Sequence, residues 1–469
     1  MRMARGARLI LYDVLIEALA AEGKSLAHVE QGVLFVPGCV PGDRVDVRVV
    51  RRRKGYLEGV IERLIMPSPL RQQPACAHFG VCGGCQWQLL PYTQQLSMKQ
   101  EQVADQLQRI GHVQPGRMRP ILPASPTLYY RNKLEFTFGP RGWQVQPKEG
   151  GELSPMEPAL GFHVPGRFDR VLDIEHCHLQ PEPSNAIRNA IRDFSLARGY
   201  SFYDAKTLTG WLRGMMIRTT RLGQTMLLII FAYEDAPARA ELMGYVAEQF
   251  PQIDSLLWCV NGKVNDTIYD IPVELHRGRA YIEERLGPLT IAIGPKSFYQ
   301  TNSRQGERLY GVVRRMAGLT GRETVYDLYC GTGTIGLFLA HEAARVVGVE
   351  SVPEAVTDAW RNAERNGVGN ATFVAGDVLR VVDADFTHRH GAPDVVVTDP
   401  PRAGMHPDVV EKLLTLAAPR VVYVSCNPAT QARDLAMLAE RYEVAEAQGV
   451  DMFPHTKHVE SVVRLELRH

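Results

Sequence analysis

The chain has 469 residues, of which 45% are hydrophobic and 22% charged, and its formal net charge is +1. That length predicts roughly two to four domains. The composition excludes a disordered or fibrous chain, and the net charge does not indicate a polyanion-binding surface over the whole molecule. The basic residues 1–8 and apolar residues 9–20 suggest an export signal, but Asp13 and Glu17 make the run too polar. No stretch approaches the ~18 apolar residues of a membrane span, so we expect a cytoplasmic protein without a membrane partner.

Residues 1–70 predict a small β-barrel. Apolar and polar residues alternate around Pro-Gly turns in "GVLFVPGCVPGDRVDVRVV", and a second strand pattern, "YLEGVIERLI", follows a basic hairpin tip. The tip, Arg51–Lys54, has the charge to meet phosphates. A charged hairpin tip is more often simply solvated, so these residues alone make RNA contact the weaker interpretation.

Three of the eight cysteines lie close together at Cys76, Cys82 and Cys85. A cytoplasmic chain is not expected to carry a disulfide framework, so crowded cysteines indicate a metal site. Thiolates at such spacing hold zinc as readily as an iron–sulfur cluster. The histidines that are alternative candidate zinc ligands are His78, His176 and His178.

Residues 71–295 predict a central α+β domain. A polar helical pattern covers residues 94–110, and strand patterns with interspersed helices dominate residues 128–295. Representative strand patterns are "YYRNKLEFTFGP" and "LTIAIG". The helical stretch at about 93–119 is expected to pack on the domain that follows rather than on its sequence neighbours.

From Ser303 the pattern changes to α/β. Apolar residues take the i, i+3, i+4 and i+7 positions of an amphipathic helix at Leu309, Val312, Val313 and Met316. Strand patterns then alternate with helices, which predicts a doubly wound parallel sheet. The strand patterns are "TVYDLYC", "RVVGVE", "DVVVTDPP" and "RVVYVSC".

A glycine loop, "GTGTIG" at residues 331–336, separates the first of these strands from a helix. Glycines let a ligand approach the backbone at a helix N-terminus. Glu350 ends the next strand roughly 20 residues after the loop begins, where an acid meets ribose hydroxyls in nucleotide-binding sheets. A lone glycine pattern is weak evidence, but strand, loop, helix and acid in this order indicate either a dinucleotide or S-adenosylmethionine.

Acidic residues favour S-adenosylmethionine. Asp327 lies just ahead of the glycines, and Asp399 begins an Asp-Pro-Pro motif. Asp377 follows the third strand, where it is placed to meet the adenine or, equally well, to cap a helix. Asp-Pro-Pro is also typical of enzymes that methylate exocyclic amines of bases, but those place an aromatic residue next. Here Arg402 follows, which disfavours that chemistry.

Cys426 ends a buried strand pattern, and Asn427 and Pro428 predict a helix start directly after it. Considered alone, such a cysteine is more often a small buried residue. Methylation of carbon 5 of uracil, however, needs a thiolate that adds to carbon 6 and a base that removes the hydrogen from carbon 5. The helix is expected to lower the pKa of the thiol. Glu460, which alone would be interpreted as a surface carboxylate, is the candidate base.

These residues, in this order, resemble the RNA uracil-5 methyltransferases, which make 5-methyluridine in ribosomal and transfer RNA. Six ordered motifs together are highly specific, and they span most of residues 296–469. The motifs are "SFYQTN", "DLYCGTGTIG", "VVGVE", "DPPRAG", "VSCNPAT" and "DMFPHTKHVE".

The resemblance implies a Rossmann-like class I methyltransferase domain at residues 296–469. It implies Cys426 as the nucleophile and Glu460 as the proton-abstracting base. Thr334 occupies a position that is Asn in some members. The positions implied to contact S-adenosylmethionine are Gln300, Tyr329, Thr334, Glu350, Asp377 and Asp399.

The front half of the chain is similar to the same family. Residues 20–50 resemble a TRAM domain, the family's OB-like RNA-binding barrel, which strengthens the phosphate interpretation of Arg51–Lys54. Cys177 is implied as the fourth ligand of a [4Fe–4S] cluster, after Cys76, Cys82 and Cys85. The interval from Cys85 to Cys177 departs from the ribosomal enzymes' spacing, and the loop-like residues 147–160 are the candidate insertion.

A TRAM domain together with a cluster favours 23S ribosomal RNA as the substrate, because transfer-RNA members often lack both; transfer RNA is the alternative. A non-catalytic RNA-binding protein is the alternative from another class, and the pair Cys426 and Glu460 argues against it. A 5-methylcytosine enzyme also uses thiol addition, but places its cysteine after Pro or Thr, whereas Ser425 precedes it here. We expect a monomer.

Overall fold

The computed structural model describes residues 9–20, 23–143 and 157–468. The basic residues 1–8 and most of the predicted insertion lie outside the described part. The chain forms two compact units, the smaller from residues 1–102 with 453–458 and the larger from residues 103–452 with 459–469. None of the helices in the described ranges is long and apolar enough to cross a membrane.

The smaller unit contains a six-stranded sheet in the order β1-β5-β6-β4-β3-β2. Val45 and Val47 of the fifth strand are fully buried in the core of this unit. Asp46 between them is buried as well, and its carboxylate accepts hydrogen bonds from Asp13 N and Arg63 Nε. Gly55 has φ +90° and closes the hairpin beyond the exposed arginines. The strands are β1 Ile10–Leu15, β2 Ala18–Leu19, β3 Ser25–Val29, β4 Gly32–Val36, β5 Arg44–Arg53 and β6 Tyr56–Met66.

A long helix, α1 (Tyr92–Arg109), follows the cysteine segment and runs from the smaller unit into the larger one. Val103 and Leu107 from its second half are fully buried in the core of the larger unit. The next strand, β7 (Arg117–Leu122), pairs with the last sheet of the chain. This stretch thus contributes a helix face and an edge strand to a sheet whose other strands follow some 200 residues later.

The central part of the larger unit is a seven-stranded sheet in the order β10-β9-β8-β11-β12-β13-β14, with two helices. The sheet is mainly antiparallel, apart from the parallel pair β12–β13. The predicted central α+β fold is therefore confirmed. Its elements are β8 Lys133–Gly139, β9 Ala159–Val164, β10 Arg167–Asp173, α2 Ser184–Ala197, β11 Leu212–Thr219, β12 Thr225–Phe231, α3 Ala236–Gln249, β13 Ser255–Val260 and β14 Glu274–Gly278, before the hairpin β15 Ile282–Leu286 and β16 Leu289–Ile293.

The last part is an eight-stranded sheet in the order β19-β18-β17-β20-β21-β23-β22-β7, flanked by helices. Its first five strands are parallel, which confirms the doubly wound α/β prediction. Its elements are α4 Ser303–Ala317, β17 Thr324–Leu328, α5 Thr334–Leu339, β18 Arg345–Glu350, α6 Pro353–Arg365, β19 Ala371–Ala375, α7 Val378–Val381, α8 Ala384–His390, β20 Val395–Thr398, α9 Pro407–Leu416, β21 Arg420–Ser425, α10 Pro428–Leu438, β22 Tyr442–Val450 and β23 Glu460–Leu467.

The predicted apolar face of α4 is buried at all four of its positions. The Asn302 side chain accepts a hydrogen bond from Gln305 N and caps the helix start, and Gly318, at φ +56°, ends it. Parallel strands all end at one edge of a sheet, and β23 is antiparallel to β21 and so begins at that same edge. Side chains from the ends of β17, β18, β20 and β21 and from the start of β23 therefore collect there.

Candidate active site

Cys426 and Glu460 meet because of the register between β21 and β23. Ser425 is paired with Ser461 in this antiparallel ladder. The ladder ends at this pair; Cys426 is the residue after Ser425, and Glu460 is the residue before Ser461, so both lie at the same end of the two strands. The charge of Glu460 acts on the Cys426 thiol and raises its pKa, so the two groups are close in space. A thiol and a carboxyl 34 residues apart in sequence thus become neighbours.

The pKa values of Cys426 and Glu460 are both raised in this site. Burial, followed by the charge of Asp399, raises the pKa of Glu460 to about 8, and only 6% of that residue is exposed. Burial and the charges of Glu460 and Asp399 raise the pKa of the Cys426 thiol to about 11. Burial also raises the pKa of Asp399 to about 7. The prediction that the following helix lowers the pKa of Cys426 and makes it a thiolate is therefore wrong, because burial and the charges of two carboxyls raise that pKa.

Arg402 is a charged member of this group whose role the sequence did not indicate. Its positive charge lowers the pKa values of both Cys426 and Glu460, in opposition to burial. Its only signal in the sequence was its position immediately after Asp-Pro-Pro, where enzymes that methylate exocyclic amines carry an aromatic residue. The guanidinium is exposed, so it can contact a substrate as well as the two acids.

Helix α10 holds the backbone of the Arg402 loop. Asn427 Nδ2 donates to Arg402 O at 3.2 Å, and Thr430 Oγ1 donates to the same oxygen at 3.3 Å. Asn427 also caps the helix by accepting from Ala429 N, which confirms the predicted helix start. The helix that follows Cys426 therefore determines the position of the Arg402 backbone.

A buried carboxylate on α10 completes this clamp. Asp434 Oδ2 accepts from Met405 N at 2.8 Å and from Tyr423 Oη at 2.7 Å. Arg433 donates to Asp434 Oδ1 at 2.7 Å and to Met405 O at 3.1 Å. The loop at Gly404 approaches so closely that a Cβ there would lie 2.8 Å from Asp434 Oδ2. These contacts tie β20, α10 and β21 into one frame under the site.

The glycine loop at the end of β17 forms an open cradle. Gly331 has φ +54°, and a Cβ built there meets no atom within 4 Å. Gly331 N donates to Glu350 Oε2 at 3.1 Å, so the acid at the end of β18 lies against the loop as predicted. Asp327 Oδ2 accepts from Gly336 N at 2.8 Å, while its buried Oδ1 has no hydrogen-bond partner in the described part of the chain. An open backbone cradle beside an unpartnered carboxyl oxygen fits a polar ligand such as S-adenosylmethionine.

Tyr329 and Asp377 lie beside this cradle. Tyr329 has φ +63°, a left-handed conformation that is strained for a non-glycine residue and is often found at binding sites. Burial and the negative charge of Asp377 raise the pKa of Tyr329 to about 12, so the two side chains are near each other. Asp377 Oδ1 accepts from Leu379 N at 2.8 Å and caps α7. The helix-cap interpretation of Asp377 is thus confirmed, and its contact with the adenine stays a prediction.

The remaining two predicted contacts are more deeply placed. Gln300 is buried, and its backbone oxygen accepts from Asn132 Nδ2 at 2.8 Å. Thr334, the first residue of α5, is buried, and its Oγ1 lies 3.1 Å from Tyr310 Oη. The Thr334 hydroxyl thus has a partner inside the protein. Roles of either residue toward the methyl donor stay predictions.

The predicted metal ligands are distributed over both units. Cys76, Cys82 and Cys85 are half-buried in the segment between β6 and α1, in the smaller unit. Cys177 is buried between β10 and α2 of the larger unit, where its N–H donates to Asn185 Oδ1 at 2.8 Å. None of the four forms a disulfide. Within residues 9–20, 23–143 and 157–468, no group of three or more His, Cys, Asp or Glu side chains is arranged to hold a metal ion.

The doubly wound sheet, its glycine cradle and its acidic edge define the class I methyltransferases. Residues 289–468 match the family model described as tRNA (uracil-5-)-methyltransferase, and residues 11–61 match the TRAM domain. An uncharacterized RNA methyltransferase of Porphyromonas gingivalis is 51% identical over 458 residues, which are 96% of this chain and 98% of that protein. Another, of Bacteroides thetaiotaomicron, is 49% identical over 96% of this chain and 100% of its own length.

One solved structure extends the likeness to the whole chain. The Pyrococcus abyssi tRNA (uracil-54, C5)-methyltransferase in complex with S-adenosyl-L-homocysteine is 30% identical, with a TM-score of 0.75. The match covers 98% of this chain and 100% of that one. This chain belongs to the TRAM-containing RNA (uracil-5-)-methyltransferase family, and it is an enzyme with S-adenosylmethionine as its methyl donor.

Proposed function

We propose that the enzyme methylates carbon 5 of a uridine in RNA through a covalent adduct between Cys426 and carbon 6. The observation that supports the proposal is that Cys426 and Glu460 lie at the same end of the β21–β23 ladder, where the charge of Glu460 acts on the thiol. Uracil-5 chemistry needs this combination of a nucleophile on one side and a base within reach. Asp399 and Arg402, which perturb both groups, supply the surrounding charge.

Proton positions set the conditions for the reaction. With pKa values of about 11 and about 8, Cys426 is mainly a thiol and Glu460 mainly a neutral acid at pH 7. Bound S-adenosylmethionine supplies an electrophilic methyl group on a sulfonium, whose positive charge favours ionisation of the acids around it. Arg402 acts in the same direction on both groups. The site is thus built to ionise when positive charge is added to it.

The chain's residues then act in sequence on the uracil ring. The Cys426 sulfur bonds to carbon 6, and the electrons of the ring double bond move toward carbon 5, which takes the methyl group. The Glu460 carboxylate removes the hydrogen of carbon 5 as a proton. Those electrons re-form the ring double bond, and the Cys426 sulfur leaves as a thiolate.

The covalent step is tested with 23S ribosomal RNA and tRNA transcripts made with 5-fluorouridine, which lacks the removable hydrogen. In the presence of S-adenosylmethionine the wild type should form a denaturation-resistant protein–RNA adduct. Cys426→Ala should form none, whereas the control Cys39→Ala, in the TRAM core, should behave as the wild type. An adduct with Cys426→Ala would falsify the nucleophile assignment. Glu460→Gln should methylate unmodified RNA but accumulate the adduct, and wild-type turnover by that variant excludes it as the base.

Two RNA classes are candidate substrates. The TRAM domain together with the cysteine motif supports 23S ribosomal RNA, as the family resemblance implies. Transfer RNA is supported by the Pyrococcus abyssi enzyme, a tRNA methyltransferase that matches along 98% of this chain. Mass-spectrometric mapping of 5-methyluridine in both RNA classes, from cells with and without the gene, decides between them: the lost methyl groups identify the target.

We further propose that Cys76, Cys82, Cys85 and Cys177 hold a [4Fe–4S] cluster. The support is the four-cysteine motif and the family resemblance that implies these four ligands. No step of methyl transfer passes through the cluster. Protein purified without oxygen should be brown and contain about four iron and four sulfide per chain; zinc without iron refutes the proposal.

A further inference from the structure

A partly open cavity of about 550 Å³ lies on the central sheet, away from Cys426 and Glu460. Its floor is the face of β8 and β11, where Lys133 is paired with Arg218 and Glu135 with Met216. Its wall includes residues 295–299, which lead into Gln300. The cavity therefore borders the segment that links the central sheet to the methyltransferase sheet.

The charge of the cavity is predominantly positive. The Lys133 ammonium lies 2.6 Å from Glu135 Oε1, and the Arg213 guanidinium lies 2.8 Å from Asp266 Oδ1. Arg218 and Lys296 also line the cavity, and the charge of Glu135 acts on Arg218 as well as on Lys133. Four cations therefore face two carboxylates. The charged residues that line it are Lys133, Arg213, Arg218, Lys296, Glu135 and Asp266. An anionic ligand would complement this surface.

Arg218 is the buried member of that set. Only 3% of the residue is exposed, and burial lowers its pKa to about 10, so it still carries its charge at neutral pH. Its Nη2 donates to Ser297 O at 2.7 Å, whereas its buried Nε has no hydrogen-bond partner among the described residues. A buried guanidinium donor without an acceptor is costly. A phosphate in the cavity would offset that cost.

Two aromatic side chains also line the cavity while remaining largely in solvent. Tyr269 is 74% exposed and Phe298 is 68% exposed. Lys296 Nζ donates to Tyr269 O at 3.0 Å and holds the tyrosine's backbone at the rim. Exposed rings beside cationic groups are the combination that binds unpaired nucleotides, because every base has a face that stacks on a ring.

Asn132 connects the cavity to the segment of Gln300, a predicted contact of the methyl donor. Its N–H donates to Thr301 O at 2.7 Å, and its Nδ2 donates to Gln300 O at 2.8 Å. The adjacent residue is Lys133 of the cavity floor. RNA bound in the cavity thus lies against β8, and the residue just before this strand holds the Gln300 segment in place.

We propose that this cavity binds one unpaired nucleotide of the RNA substrate, its base against the aromatic rings and its phosphate against the cationic side chains. This rests on the proposed function, because it assumes an RNA substrate, and it adds a second binding site beside the one for the target uridine. The cavity then contributes RNA affinity rather than methyl transfer itself.

The test measures binding of a fluorescein-labelled 12-nucleotide oligouridylate to the full chain by anisotropy, without cofactor or turnover. Tyr269→Ala should raise the dissociation constant about tenfold, because loss of one stacked base has an effect of that order. Tyr269→Phe keeps the ring and should bind within about twofold of the wild type. Tyr233→Ala, another exposed tyrosine of the central domain outside the cavity, is the matched control. Lys133→Met should reduce the slope of affinity against salt concentration by about one.

Wild-type binding by both Tyr269→Ala and Lys133→Met overturns the inference, and so does the absence of any binding by the wild type. Neither result affects the proposed reaction, which is scored separately by 5-methyluridine formation. If binding changes as expected, Tyr269→Ala should also raise KM for RNA about tenfold while kcat at saturating RNA and KM for S-adenosylmethionine stay unchanged. A fall in kcat alone would place Tyr269 in the reaction and contradict the binding role.

Discussion

Replacing Glu460 by glutamine should stabilise the folded protein at alkaline pH. The same substitution should block elimination of the Cys426 sulfur from the uracil ring. The carboxyl is buried, and its pKa is about 8 in the folded protein against 4.5 when it is free. A group whose pKa is raised by folding destabilises the folded state once the unfolded chain has ionised. The penalty is therefore absent below pH 4.5, grows between 4.5 and about 8, and is constant above that range.

The size of the effect follows from the same two pKa values. Each pKa unit corresponds to about 1.4 kcal/mol, so the full shift amounts to about 5 kcal/mol at pH 9 and about 1 kcal/mol at pH 5.5. Glutamine is neutral at both pH values and resembles the protonated acid in shape. For a unit of about 360 residues, 5 kcal/mol corresponds to a rise in melting temperature of about 6 °C.

Differential scanning calorimetry of the wild type and Glu460→Gln at pH 5.5 and pH 9 measures this difference. Glu443→Gln is the control, because Glu443 is an exposed glutamate on the neighbouring strand β22; it should shift neither transition. The expected result is a variant that melts well above the wild type at pH 9 and close to it at pH 5.5. Equal melting temperatures at pH 9 would show that Glu460 is not held protonated by burial and would refute the electrostatic account of the site.

Three further sets of variants test the role of Arg402, the glycine loop and the hydrogen bonds of Asp434. Arg402→Gln should raise the thiol pKa and slow alkylation of Cys426 by iodoacetamide at pH 9 about threefold to tenfold, with Arg402→Lys restoring most of the rate; an unchanged rate removes Arg402 from the site. Gly331→Ala should weaken S-adenosylmethionine binding more than about tenfold and lose about 1–2 kcal/mol of stability to its left-handed backbone alone, whereas Gly333→Ala, which shares that strain and whose Cβ would also lie 2.9 Å from a phenylalanine ring, should lower the melting temperature further; calorimetric titration and melting separate the two. Asp434→Asn should destabilise by about 2–4 kcal/mol in urea unfolding, because it disturbs two buried hydrogen bonds, and a loss below about 0.5 kcal/mol contradicts the clamp.

Local features of this protein were predictable because neighbouring residues determine them. The helix start at Asn427 and Pro428 depends on a side chain capping its own next turn, and the structure has it. The contact between Glu350 and Gly331 follows from two adjacent parallel strands that end at one edge. The buried face of α4 follows from a period of 3.6 residues. The family motifs lie on such local units, and the sequence indicated the right family for that reason.

Other features depend on which distant segments pack together. The motif order does not say that β23 runs antiparallel beside β21, yet this pairing alone brings Glu460 and Cys426 to the same end of the sheet. The high pKa of Cys426 was predicted with the wrong sign, because a helix start is visible in the sequence while burial and two opposing carboxyls are not. Arg402 had no signal beyond its motif, since its effect depends on a loop held by α10.

The sequence by itself determined the chemistry that the chain carries: a thiol at a strand end, a glycine cradle, acids at the ends of four parallel strands and a TRAM domain at the front. The tertiary structure decided how that chemistry is tuned, because strand register, burial and the spacing of charges arise from contacts between residues far apart in the chain. The cavity beside Arg218 and Tyr269 belongs to this second category. Its residues come from four strands of the central sheet and two separate loops, and no local pattern connects them.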